Sequence, residues 1–162
     1  MATTNSAGRD GVGTGGKTAL QKVAMLFGVV FLLVGILGFI PGITQEYSEL
    51  AFAGPTSGAL LLGIFQVSIL HNIVHLLFGA AGVAMARTHA GSFNYLLWGG
   101  LIYLVLFIYG LVVPHDSQAN FVPLNAADNW LHIVLTIAMI AAALGLRGTA
   151  HHDATTATAR RP

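Results

Sequence analysis

Four stretches of this 162-residue chain are long, apolar and free of Lys and Arg, and they limit its folding more than any other feature. They cover residues 23–40, 68–86, 95–113 and 126–146. A helix needs about 20 mostly apolar residues to cross the hydrocarbon core of a bilayer, and each stretch meets or approaches that length. Composition agrees: 8% of residues are charged and mean hydropathy is +0.75, whereas a soluble domain carries about 25% charged residues. The expected fold is an all-α integral membrane protein, a four-transmembrane-helix bundle over residues 19–147, with the lipid bilayer as its first partner.

The basic residues orient it. Arg9, Lys17 and Lys22 precede the first stretch, Arg87 lies between the second and third, and Arg147, Arg160 and Arg161 follow the fourth. All seven share one side if the N-terminus is inside, while the other side receives Glu46, Glu49 and Asp116. The positive-inside rule then gives an N-in/C-in topology. Trp98 and Tyr95 near the inner face and Trp130 near the outer face suit aromatic belts. The first stretch has a long apolar core and no small-x-small cleavage site leading into a soluble domain, so it reads as a retained helix rather than a signal peptide. Residues 1–18 and 148–162 are rich in Gly, Ala and Thr and read as disordered cytoplasmic tails.

Outside, residues 41–67 form the longest connection. Residues 59–67 are apolar, but adding them to the second stretch would make a helix too long for one bilayer. Counting back from Arg87 starts that span near Ser68 and leaves 59–67 at the outer interface as a short helix or packed loop. The second outer connection, 114–125, carries the turn residues Pro114, Asp116, Asn120 and Pro123.

Several functions are excluded. A net charge of +1 provides no basic field for nucleic acid. With no cysteine there is no disulfide, thiolate metal site, thiol nucleophile or c-type haem attachment. Gly11-Val12-Gly13-Thr14-Gly15-Gly16-Lys17-Thr18 fits the P-loop pattern. That pattern cradles phosphate only between a buried strand and a helix. Here a short polar tail precedes it and a span follows at once, so no nucleotide partner is expected. No Ser/His/Asp nucleophile arrangement and no close carboxylate pair within a span marks an enzyme.

One polar motif occurs twice. His71-Asn72-Ile73-Val74-His75 opens the second span and Asp128-Asn129-Trp130-Leu131-His132 opens the fourth. Ser68 and Asn125 are good N-caps, which puts His71 and Asp128 at the third helical position. Asp128 there suits a capping box and the positive end of the helix dipole. Spacing of i to i+4 places His71 with His75, and Asp128 with His132, on one helix face. The two spans run in the same direction, so His75 and His132 sit at equal depth in the outer leaflet. The spans should be adjacent or diagonal, with His71, His75, Asp128 and His132 inward and Asn72 and Asn129 flanking them as hydrogen-bonding partners. The matched caps and spacing suggest two diverged two-helix repeats, a type known in membrane proteins.

Three readings of the motif stand. Polar side chains can pair membrane helices, a purely structural role at about 0.6–2 kcal/mol each. Imidazole and carboxylate suit Zn²⁺, Cu²⁺ or non-haem iron, and haem b would take His75 and His132 as opposed axial ligands. Histidines can also carry protons or solutes, although no ionisable residue continues inward. The corresponding functions are a non-catalytic accessory or scaffold protein, a metal- or haem-binding redox protein, and a small transporter. The first needs no cofactor, and its partners would be other membrane proteins or further copies of the chain.

Three segments also carry a resemblance: Phe39-Ile40-Pro41-Gly42, then Leu62-Gly63-Ile64-Phe65-Gln66-Val67 running into Leu70-His71-Asn72-Ile73-Val74-His75-Leu76, then Asn125-Ala126-Ala127-Asp128-Asn129-Trp130-Leu131-His132. Together they resemble the four-span actinobacterial membrane proteins catalogued as domain of unknown function 4383. The likeness covers roughly residues 20 to 147. It implies a plasma-membrane protein of a high-GC Gram-positive bacterium and brings no activity, substrate or cofactor.

Overall fold

The computed structural model describes residues 16–148. Of the tails expected over 1–18 and 148–162, all but residues 16–18 and 148 lie outside them, as does most of the P-loop-like stretch. Four α-helices dominate: α1 (Ala19–Leu37), α2 (Ile69–Met85), α3 (His89–Val112) and α4 (Ala126–Leu146). By length and composition α1, α3 and α4 can each cross a membrane, and α2 is an apolar helix of 17 residues.

Local caps set where each helix starts. Thr18 Oγ1 accepts from the Gln21 N–H at 3.3 Å, and the Thr18 N–H donates to Gln21 Oε1 at 3.0 Å. The last residue of the P-loop-like stretch is therefore a helix cap. Ser68 Oγ accepts from the His71 N–H at 3.1 Å, and Thr88 Oγ1 accepts from the Gly91 N–H at 3.0 Å. Asn125 and Asp128 form a reciprocal capping box on α4, both bonds at 3.0 Å. Such caps satisfy N–H groups that no helix turn can reach. They also start α1 at Ala19 and α3 at His89, each upstream of its apolar stretch.

The helices pack as two antiparallel pairs. α1 lies along α2 and α3 along α4, while α2 and α4 are not among the closely packed pairs. Glycines allow the close approach. A Cβ on Gly28 would stand 2.7 Å from the Val83 backbone nitrogen, and one on Gly100 would stand 3.3 Å from that of Ile140. Small residues at crossings are the usual material of membrane helix packing, where lipid offers no hydrophobic drive. Leu20, Ala24, Phe31, Leu96, Tyr103 and Met139 are buried between the pairs. Tyr95 belongs to this core as well, at 3% exposure, so it is not a belt residue. Its ring packs on Phe78 at 5.0 Å. Trp98 and Trp130 are exposed, as belt residues would be.

Residues 59–67 are neither helix nor plain loop. They supply β2 (Leu60–Leu61) and β3 (Phe65–Gln66) of a small antiparallel sheet, ordered β1-β2-β3, with β1 at Thr44–Gln45. Leu62 and Gly63, at φ of 55° and 70°, turn the chain between β2 and β3. Ala59, Leu61 and Val67 bury themselves against Val34 and Leu37 of α1. The apolar character of the segment thus serves a packed hairpin that covers one end of the helices.

His89, at the start of α3, ties three helix ends together. Its Nε2 lies 2.9 Å from the Arg147 carbonyl at the end of α4. Its Nδ1 lies 3.1 Å from Thr18 Oγ1 at the start of α1. A carbonyl only accepts, so Nε2 carries the hydrogen there.

Candidate functional site: a histidine cluster between the helix pairs

The caps on α2 and α4 place the repeated motif at the hairpin end of the helices. His71, Asp128 and His132 are buried, at 5%, 3% and 4% exposure. His75 is half-buried. The structure brings all three histidines to one place. The rings of His71 and His75 stack with centroids 4.4 Å apart and planes 3° apart, as the i to i+4 spacing allows. His75 Nδ1 lies 3.0 Å from the His71 carbonyl. It must donate to that oxygen, so in the neutral ring the lone pair is on Nε2. His71 Nδ1 and His132 Nδ1 are buried without a partner.

Two small cavities flank the cluster. One, of about 90 Å³, lies under the β2–β3 hairpin and reaches Asp128. The other, of about 40 Å³, lies toward Val122 and Leu124. His71, His75, Tyr103 and His132 border both, so these four side chains form the wall between them. Sites for drug-sized ligands occupy about 300–1,000 Å³, and a porphyrin does not fit either cavity. Haem ligation by His75 and His132 has no room here.

The other motif residues have separate work. Asp128 Oδ2 accepts from the Asn125 N–H and from the Gln66 N–H, each at 3.0 Å. One carboxylate oxygen therefore caps α4 and also holds β3. Asn125 Nδ2 adds a bond to the Ile64 carbonyl at 2.7 Å. The asparagines do not bond to the histidines. Asn72 lies on Gly38, where a Cβ would be 2.2 Å from its Oδ1, and Asn129 lies on Gly110, where the distance would be 2.3 Å. No hydrogen bond reaches either polar atom of the Asn72 amide, or Asn129 Oδ1. Both asparagines thus act within their own helix pair, against a glycine whose missing side chain makes the room.

Sequence reasoning missed Phe31 and Tyr103. Phe31 meets His75 at 5.7 Å and 58°, and Tyr103 meets His132 at 5.2 Å and 52°. The two aromatic rings then stack on each other at 5.5 Å and 10°. A signal was present: Gly28-x-x-Phe31 with Gly38 and Gly100-x-x-Tyr103 with Gly110 repeat the same spacing. As the side chains stand, no group of three or more His, Cys, Asp or Glu among the described residues is set to hold a metal.

Residues 21–145 match the family model described as Domain of unknown function (DUF4383). The chain belongs to this family. No curated protein and no solved structure matches it. The part shared with DUF4383 takes in both cavities and every residue that borders them. What this DUF4383 chain presents beneath its hairpin is a set of imidazoles enclosed largely by apolar walls, with Nδ1 of His71 and of His132 unpartnered. Leaving such a group buried and unpaired costs roughly 1–3 kcal/mol. These nitrogens therefore favour occupants of the cavities that can bond to them.

Proposed function

We propose that the chain is a multi-pass plasma-membrane protein that crosses four times, N-in/C-in, as a four-helix bundle. In this reading it is a non-catalytic accessory or scaffold protein of a bacterial cell envelope, assembled with other membrane proteins or with copies of itself. At 17 residues, α2 is at the short end of the spanning range of about 17–25. It starts from the same capped motif as α4, which supports the same outside-to-inside direction.

The observation that carries the scaffold reading is the repetition of contacts in the two helix pairs. Gly28 meets Val83 as Gly100 meets Ile140, and Gly38 receives Asn72 as Gly110 receives Asn129. Phe31 faces His75 as Tyr103 faces His132. The bundle is then two diverged two-helix repeats joined by the Phe31–Tyr103 stack, with the repeated contacts serving pairing rather than catalysis. A solute path has no support inward of the cluster, where Phe31, Phe78 and Tyr103 pack ring against ring.

Topology is open to direct test because the chain has no cysteine of its own. Single cysteines at exposed Phe52 and Phe121 should react with a membrane-impermeant maleimide on intact cells. A cysteine at Arg87 should react only after permeabilisation. Labelling of position 87 on intact cells, or protection of 52 and 121, would overturn the four-span, N-in arrangement.

A further inference from the structure

The two helix pairs treat the first turn of their second helix differently. In α2 the Asn72 N–H donates to the Ser68 carbonyl and the His71 N–H to Ser68 Oγ. The two N–H groups before them reach back to the preceding loop. Ile69 donates to the Ala51 carbonyl at 3.1 Å and Leu70 to the Phe52 carbonyl at 2.9 Å. In α4 the inner bonds recur, from Asn129 to the Asn125 carbonyl and from Asp128 to Asn125 Oδ1. The N–H groups of Ala126 and Ala127, which correspond to those of Ile69 and Leu70, find no acceptor among the described residues. Beside them a groove of about 440 Å³ runs between the end of α3 and the start of α4. Phe107, Val112, His115, Ala126, Asn129 and Trp130 border it. Asn129 is its one buried polar side chain, at 7% exposure, and Oδ1 has no partner. The matching Asn72 is sealed at 0% exposure.

We propose that this groove binds one diacyl glycerolipid, with its ester carbonyl oxygens on the N–H groups of Ala126 and Ala127 and on the Asn129 amide. With α3 and α4 spanning the membrane, the open side of the groove faces lipid, and the inference rests on that reading. Free N–H groups at a helix start only donate, so the occupant must present acceptor oxygens. In the first pair the matching places are filled by two carbonyl oxygens of the chain itself. An ester carbonyl is the lipid group of the same kind, and it stands where the acyl chain begins. The Asn129 amide lies about 4.5 Å further along the helix axis than Ala126, a separation that the two esters of one glycerol can span. Phe107, Val112 and Trp130 offer the acyl chain an apolar bed. A phosphate can also sit on a bare helix N-terminus. Here Asp128 already places a carboxylate in that first turn, and no Lys or Arg among the described residues stands at this end of the helices. Recognition is therefore of the uncharged ester region and is indifferent to the headgroup.

The test uses purified full-length protein, delipidated in detergent micelles and titrated with lipid under native mass spectrometry. Dioleoyl phosphatidylcholine should be retained saturably at one molecule per chain. Its dialkyl ether analogue has the same headgroup and chains but no carbonyl. It should bind about tenfold less tightly, the loss expected for two ordinary hydrogen bonds. Dioleoyl phosphatidylglycerol, with the same esters and a net negative charge, should bind like the phosphatidylcholine. Ala126→Pro deletes one of the free N–H groups at the first helical position, where proline is tolerated, and Asn125 already has the extended backbone that must precede it. This variant should lose ester lipid severalfold while the lipid-free protein unfolds at the parent temperature. Ile69→Pro deletes the matching N–H from a bond that the fold uses, and should lower the unfolding temperature. Equal retention of ester and ether lipids would overturn the proposal and point to a partner protein's loop as the occupant. Preference for the anionic lipid, no saturable lipid at all, or ester binding unchanged by Ala126→Pro would each overturn it too. None of these outcomes bears on how often or in which direction the chain crosses the membrane, which the cysteine labelling decides separately.

Discussion

The two helix pairs use the same plan with different tolerances. In the α1–α2 pair, Gly28 lies directly on backbone: a Cβ there would meet Val83 N at 2.7 Å and the Gly82 carbonyl carbon at 2.9 Å. In the α3–α4 pair, Gly100 meets first the Cγ1 of the Ile140 side chain at 2.6 Å, and backbone only at 3.3 Å. The helix starts differ as well. α2 has a single Ser68 cap, whereas α4 has a reciprocal box whose Asp128 also holds the hairpin. Both pairs thus close by shape, the first more tightly on backbone, and the second adds hydrogen bonds from the start of α4 to the hairpin. Between them, His75 with Phe31 and His132 with Tyr103 keep nearly the same geometry. The two pairs differ in how each closes and match in the layer where they meet.

That contrast can be broken by substitution, with unfolding in micelles as the measurement. Gly28→Ala should have the largest effect, about 3 kcal/mol, because backbone cannot yield as side chains do, and overpacking costs about 1–3 kcal/mol. Gly100→Ala should lose less than half of that, since Ile140 can change rotamer; equal losses would erase the difference between the pairs. Asp128→Ala should cost about 2 kcal/mol, the range for hydrogen bonds to a charged group, and should expose the hairpin to protease. Ser68→Ala should cost about 1 kcal/mol, an ordinary cap loss, without freeing the hairpin. A hairpin released equally by both would contradict the latch assigned to Asp128.

Local features were legible in the sequence, and contacts between distant residues were not. Ser68, Asn125 and Asp128 act as caps because capping involves residues three apart, and nothing distant overrides it. The i to i+4 face of His71 and His75 is equally local. The β2–β3 hairpin was hidden because its strands are two residues each, too short for alternation to show. Tyr95 was misplaced because depth along a helix says nothing about which side of it faces the core. The asparagines were assigned to the histidines by proximity in sequence, yet Gly38 and Gly110 take them, since only a neighbouring helix could reveal those openings. The pairing within each motif was legible, whereas the meeting of His71, His75 and His132 beside Tyr103, with Asp128 on the larger cavity, depends on how the helix pairs pack.

The junction between the pairs rests on the Phe31–Tyr103 stack, and a double-mutant cycle measures it most directly. Phe31→Leu, Tyr103→Leu and the double variant, unfolded side by side, should reveal a coupling of about 0.5–1 kcal/mol, the range for aromatic pairs beyond their buried area. Strict additivity of the two single substitutions would contradict it and leave two helix pairs that merely touch.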